Sequence, residues 1–156
     1  MNKHEYTATV IWNRPADAKF TDNRYSRAHE WHFDGGTNVP ASSSPLVVPV
    51  PLSNAAAVDP EEAFVASLSA CHMLFFLFHA AKRGFMIEQY EDTAAGTMGK
   101  NAEGRMAMLK VVLRPKISWG SDKKPSTEEL DAMHHQSHLD CYIANSVKTD
   151  VTIEAP

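Results

Sequence analysis

The sequence predicts an α+β fold, and three observations carry that prediction. Short runs rich in β-branched and aromatic residues lie towards both ends of the chain, and two helices open on capping-box patterns. The elements follow the order strands, helix, strands, helix, strand, which places helices beside an antiparallel sheet. At 156 residues the chain is near the usual size of one domain, so residues 1–156 are read as a single domain with no internal repeat.

The first run, Tyr6 to Trp12, has the composition of a strand, and Ala28 to Phe33 set Trp31 and Phe33 on one face of a second. Between them, Asn13 to Asn23 carries Pro, Asp and Asn and reads as a loop. Gly35 to Val58 contains Gly35-Gly36, Pro40, Pro45, Pro49 and Pro51, so no regular element is expected there, and a loop of that length points to function. At Asp59 a helix starts: Asp59 caps it, Pro60 suits its first position, and Glu62 completes the box. It runs to about Lys82 and stops at Gly84. Apolar residues occupy nearly all its faces, which predicts a central helix wrapped by protein on most sides. Ser67, Ser69, His72 and His79 interrupt it too often for a membrane span.

Ile87 to Gly99 and Arg105 to Trp119 form a hairpin around the turn Lys100 to Gly104. Ser126 and Glu129 make the second capping box, opening a helix that continues towards His138, with Cys141 just past its end. A short helical piece, Tyr142 to Ser146, and a strand, Val147 to Ile153, complete the chain.

Charges of both signs are mixed and the net charge is -4, which leaves no basic stripe for nucleic acid. The N-terminus lacks the apolar region of a secretory signal, so a cytoplasmic location is expected. In a reducing compartment, two cysteines, Cys71 and Cys141, are either small packing residues or a transient redox pair. Cys71 lies twelve residues after Asp59, beyond the reach of the helix N-terminal field, and an apolar wall alone would disfavour its thiolate. Residue types leave both readings of Cys71 open.

Two stretches carry a resemblance. Asp59-Pro60-Glu61-Glu62-Ala63-Phe64, followed by Ser67-Leu68-Ser69-Ala70-Cys71, resembles the helix start and small-residue-cysteine element of the OsmC/Ohr family of hydroperoxide reductases. Asp140-Cys141-Tyr142-Ile143-Ala144-Asn145-Ser146-Val147 is similar to that family's second-cysteine region. The resemblance implies an OsmC-like fold with an antiparallel sheet and a long central helix, assembled as an intertwined homodimer. It further implies a thiol peroxidase in which Cys71 attacks an organic hydroperoxide and Cys141 resolves the oxidised thiol as a disulfide, with no cofactor. The reductant would be a lipoyl-type dithiol or a thioredoxin-like protein. Glu61 matches the family's glutamate, which pairs with an arginine at the thiolate, and Arg27 is the expected arginine, ahead of Arg24 and Arg14. Glu61 and Cys71 lie roughly 15 Å apart along one helix, so a second chain or a folded-back loop is needed to bring them to one centre. Two departures stand out. Tyr142 follows the second cysteine where proline is common, and His72 follows the first where an apolar residue is common.

Other readings follow from the same residues. His134 and His138 share a helix face and precede Cys141, a spacing compatible with zinc, to which His72 could add a ligand. A non-enzymatic redox sensor or ligand-binding protein on the same fold would carry the same cysteines. Leu46, Val47, Val48, Leu52 and Phe75 offer apolar surface for a peroxide tail or simply for the core.

Overall fold

The computed structural model describes residues 3–155, and the chain forms two compact units, one ending at Ala63 and the other beginning at Phe64.

The first unit is built on a three-stranded antiparallel sheet in the order β1 (Ala8–Ile11), β2 (His29–Phe33), β3 (Asn38–Ala41). β1 and β2 arise where the β-branched and aromatic runs predict them. β3 does not: it lies in the stretch expected to be irregular, and it includes Pro40 opposite Glu30. A proline is tolerated because β3 is at the sheet edge, where its missing N–H breaks no central ladder, and the Pro40 carbonyl instead accepts from Val58 N at 3.0 Å. The rest of 42–58 is a succession of turns. In the loop between β1 and β2, Trp12, Phe20 and Tyr25 stack with ring centroids 4.7–5.6 Å apart, and Trp12 Nε1 donates to the Ser26 carbonyl at 2.8 Å.

Helix α1 (Pro60–Lys82) starts as its sequence dictates: Glu62 N donates to Asp59 Oδ1 at 2.8 Å and Asp59 N to Glu62 Oε1 at 2.9 Å. Gly84, at φ 79°, takes the left-handed conformation that ends the helix.

In the second unit the expected hairpin forms but bends into two sheets. β4 (Ile87–Asp92) pairs with β7 (Pro115–Trp119), and β5 (Ala95–Lys100) pairs with β6 (Met106–Leu113). The break falls where the Asp92 carboxylate accepts the Arg114 N–H at 2.6 Å, taking a donor that a strand carbonyl would otherwise use. The other Asp92 oxygen accepts from Ser69 Oγ of α1, so this carboxylate fixes the hairpin bend to the helix. Gly96 lies where β5 passes close to α1: a Cβ there would stand 2.7 Å from Val65 Cγ2. Helix α2 (Thr127–Asp140) opens with both capping-box bonds, Glu129 N to Ser126 Oγ at 3.1 Å and Ser126 N to Glu129 Oε2 at 2.8 Å. A 3-10 turn (Ala144–Ser146) follows, and β8 (Asp150–Ile153) runs parallel to β6, as the crossover through α2 requires.

Two hydrophobic clusters hold this unit. Phe76, Ala80, Phe85 and Met133 form one; Leu68, Val111 and Leu113 form the other. The α1 residues among them, Leu68, Phe76 and Ala80, belong with His72 to a single buried row spaced by four. Here the structure corrects the sequence expectation. α1 is not wrapped on most sides within its own chain, since Leu74 and Phe78 are 62% and 58% exposed. Its apolar circumference exceeds what one chain covers. Length and composition alone would suit a membrane span, but this buried row makes α1 part of the core.

Phe76 is fully buried in the first cluster and stacks on His134 with centroids 4.3 Å apart. Phe76→Ala is expected to cost about 3–5 kcal/mol, read as a lower urea midpoint by far-ultraviolet circular dichroism.

Candidate active site

The cysteines come from different elements and meet. Cys71 lies near the middle of α1, half-buried, one residue before His72 of the buried row. Cys141 is the C-cap of α2, where the backbone leaves the helix at φ -64°, ψ 109°. Its side chain is 1% exposed, and its sulfur accepts the Ala144 N–H at 3.4 Å. Both thiols are free, and Cys71 is near enough to Cys141 to influence its ionisation.

That environment separates their chemistry. Burial pushes the Cys141 thiol above its ordinary range, the Ala144 N–H opposes the shift, and the adjacent Cys71 adds to it, because two neighbouring thiolates would repel. Cys141 therefore rests protonated. Cys71, the more exposed of the two, is the thiol a reagent can reach.

The two candidates from the first unit have other surroundings. Arg27 is tied into its own loop: its guanidinium donates to the Tyr25 carbonyl at 2.5 Å, the Asn23 carbonyl at 3.1 Å and Asn23 Oδ1 at 2.9 Å. It also lies 3.9 Å over the Tyr25 ring. Arg14 donates to the Ala18 carbonyl, and the Arg24 N–H to Asp22. Glu61 is in the first turn of α1, with Oε2 buried and without a hydrogen-bond partner among the described residues. No ion pair joins Glu61 to Arg27 among the described residues.

The histidines form a pair that the spacing along α2 does not reveal. His72 and His134 stack with centroids 5.3 Å apart and planes at 11°, and His72 Nε2 and His134 Nδ1 share one proton at 3.0 Å. The zinc grouping of His134, His138 and Cys141 is not formed. Among the described residues no three His, Cys, Asp or Glu side chains are placed to hold a metal, and His134 faces His72 across the helices. Burial lowers His72 to about 4, with His134 and His138 adding to the shift. Burial also lowers His134 to about 4, against the opposing pull of Asp131 and Asp92. Both rings are neutral core residues at physiological pH.

Further contacts around the thiols reach from the second-cysteine motif to His79 and Phe75, which lie outside both motifs. His79 of α1 donates from Nε2 to Asp140 Oδ2 at 2.8 Å, and Phe75 meets Tyr142 edge to face with centroids 5.1 Å apart. The signal was partial: Tyr142 stands out as a departure, whereas a contact between residues 61 positions apart has no local signature.

The comparisons agree with this architecture. The family model described as OsmC-like protein matches residues 53–155. The chain belongs to the OsmC family. An OsmC-like protein of unknown function from Vibrio cholerae is 53% identical to this OsmC chain, with 99% of this chain and 100% of that one covered at a TM-score of 0.97. An organic hydroperoxide resistance protein from Elizabethkingia anophelis shares the fold at 16% identity and a TM-score of 0.70, covering 99% and 95% of the two chains. Another, from Legionella pneumophila, does so at 16% identity and a TM-score of 0.66, covering 98% and 97%. No curated protein matches the sequence.

Two outcomes follow from the site. At neutral pH, limiting iodoacetamide should label Cys71 and leave Cys141 unlabelled until the protein is unfolded, as read by peptide mass spectrometry. As pH falls from 6.5 towards 4, the unfolded chain takes up protons that folded His72 and His134 refuse, so stability should fall by about 1.4 kcal/mol per pH unit for each ring. Urea midpoints at several pH values should show that loss, with a shallower slope in His72→Leu.

Proposed function

We propose that this OsmC-family protein is a thiol peroxidase that reduces organic hydroperoxides to alcohols, and the pairing of the Cys71 and Cys141 thiols carries the proposal. In the first step the Cys71 thiolate attacks the terminal peroxide oxygen. The O–O bond breaks, the alkoxide takes a proton and leaves as alcohol, and Cys71 becomes a sulfenic acid. In the second, the Cys141 sulfur attacks the Cys71 sulfur, the S–O bond breaks, and the sulfenic oxygen leaves as water with the proton from Cys141. A dithiol, of lipoyl type or on a thioredoxin-like protein, then reduces the disulfide. The chemistry uses no cofactor.

The environment of Cys141 supports this order. While Cys71 is a thiolate, its charge discourages ionisation of Cys141, and conversion to a neutral sulfenic acid removes that charge. Burial, the larger cause, persists, so the loss of that charge only eases ionisation of Cys141 at the point where there is something to resolve. Relatives named for organic hydroperoxide resistance share this fold, which is consistent with the same chemistry here.

We further propose one OsmC-like domain per chain, working in the cytoplasm as an intertwined homodimer without nucleic acid or membrane partners. Two observations favour the dimer: the exposed Leu74 and Phe78 of α1, and the unpartnered buried oxygen of Glu61. In that assembly Glu61 and Arg27 would hold a thiolate and polarise the peroxide. Arg27 would first leave its contacts with Tyr25 and Asn23.

Consumption of cumene hydroperoxide with a dithiol reductant tests the proposal. Wild type is expected to turn over many times, Cys71→Ser not at all, and Cys141→Ser about once before stalling. Single oxidation without turnover in wild type would instead identify a sensor.

A further inference from the structure

We infer that His79 and Tyr142 are positioning residues that clamp Cys141 against Cys71, one contact on either side of the resolving thiol; the inference rests on the peroxidase reading. Three consecutive residues at the end of α2 each meet a member of one row on α1. Asp140 accepts from His79 at 2.8 Å, Cys141 adjoins Cys71, and Tyr142 packs on Phe75 at 5.1 Å between centroids. Cys71, Phe75 and His79 are spaced by four and so lie one above another on the same helix face. The residues flanking Cys141 are thus pinned one turn and two turns along from the thiol that Cys141 must reach.

The clamp acts where the helix no longer does. Asp140 is the last helical residue, and Cys141 already has extended backbone. Beyond that point the chain is steadied locally by Asn145, whose amide donates to the Leu139 carbonyl at 2.9 Å and whose N–H donates to the Cys141 carbonyl at 3.0 Å. Those bonds shape the turn but make no attachment to α1. His79 and Phe75 supply it, and Gln136 steadies the Asp140 carboxylate by donating to its second oxygen at 3.1 Å.

Holding two sulfurs in register raises the effective concentration of one at the other. In the second step the S–S bond forms as the S–O bond breaks, and the Cys141 proton leaves with the water. A clamp should speed that step and the equivalent exchange with another thiol. It should leave untouched the first step, in which only Cys71 and the peroxide react. A slow second step exposes the Cys71 sulfenic acid to further peroxide, so clamp loss should appear as sulfinic acid on Cys71.

The test separates the steps. In stopped-flow experiments with cumene hydroperoxide, His79→Ala and Tyr142→Ala should keep the peroxide-dependent step within about twofold of wild type and slow the peroxide-independent disulfide step about tenfold. Intact mass should show more sulfinic acid in both. His79→Gln, which keeps a donor for Asp140, and Tyr142→Phe, which keeps the ring, should recover most of the rate. The equilibrium between the protein disulfide and glutathione, measured without peroxide, should shift about tenfold towards the dithiol in each alanine variant. That measurement stands if the protein proves inert to peroxide, so failure of the peroxidase reading and failure of the clamp are distinguishable. Alanine variants matching wild type in the glutathione equilibrium, or conservative variants no better than alanine, would overturn the clamp.

Discussion

One row of side chains on α1, Leu68, His72, Phe76 and Ala80, is the constraint on which the second unit depends. Leu68 belongs to one hydrophobic cluster, and Phe76 and Ala80 to the other. His72 sits between them, and His134 partners its Nε2, while His72 Nδ1 and His134 Nε2 are buried without a hydrogen-bond partner among the described residues. Losing that partner would leave a second nitrogen of the buried imidazole unsatisfied, so the stacked pair is part of the core's construction. Burial keeps both rings neutral, which makes the core sensitive to acid.

Committing that row to the core determines what the next row can do. Cys71 follows Leu68 by three residues and precedes His72 by one, so it lies beside the packed row, half-buried. The row through Cys71, Phe75 and His79 then faces the end of α2, and the register of two helices becomes the register of two sulfurs. Asp92 serves a related purpose at the hairpin, accepting from Ser69 and from the Arg114 backbone. Polar side chains that look incidental in the sequence thus tie α1 to the elements around it.

The same fold recurs in relatives with 16% identity, because the architecture requires only the pattern of apolar rows, caps and turns. Chemistry requires more than the pattern. In this chain the two free thiols are differentiated by environment: one half-buried on a helix face, the other enclosed and held protonated. His72 and Tyr142, the departures from common family usage, are both engaged by neighbours, His72 by His134 and Tyr142 by Phe75.

The sequence by itself determined the elements whose causes are local. Asp59 with Glu62, and Ser126 with Glu129, mark both helix starts because a capping box closes within four residues. Gly84 marks an end, and the turn from Lys100 to Gly104 a hairpin. The two cysteines could be singled out from their flanking motifs. Tertiary structure alone decided the edge strand containing Pro40, which the Val58 N–H supports from a distance, and the bend at Asp92, which depends on a bond to Arg114. It also decided the partners of the histidines: spacing of four along α2 pairs His134 with His138, but packing of α2 on α1 pairs it with His72. Residues far apart in the chain carry no mutual signal in a single sequence, and their meeting is set by which rows of α1 are buried.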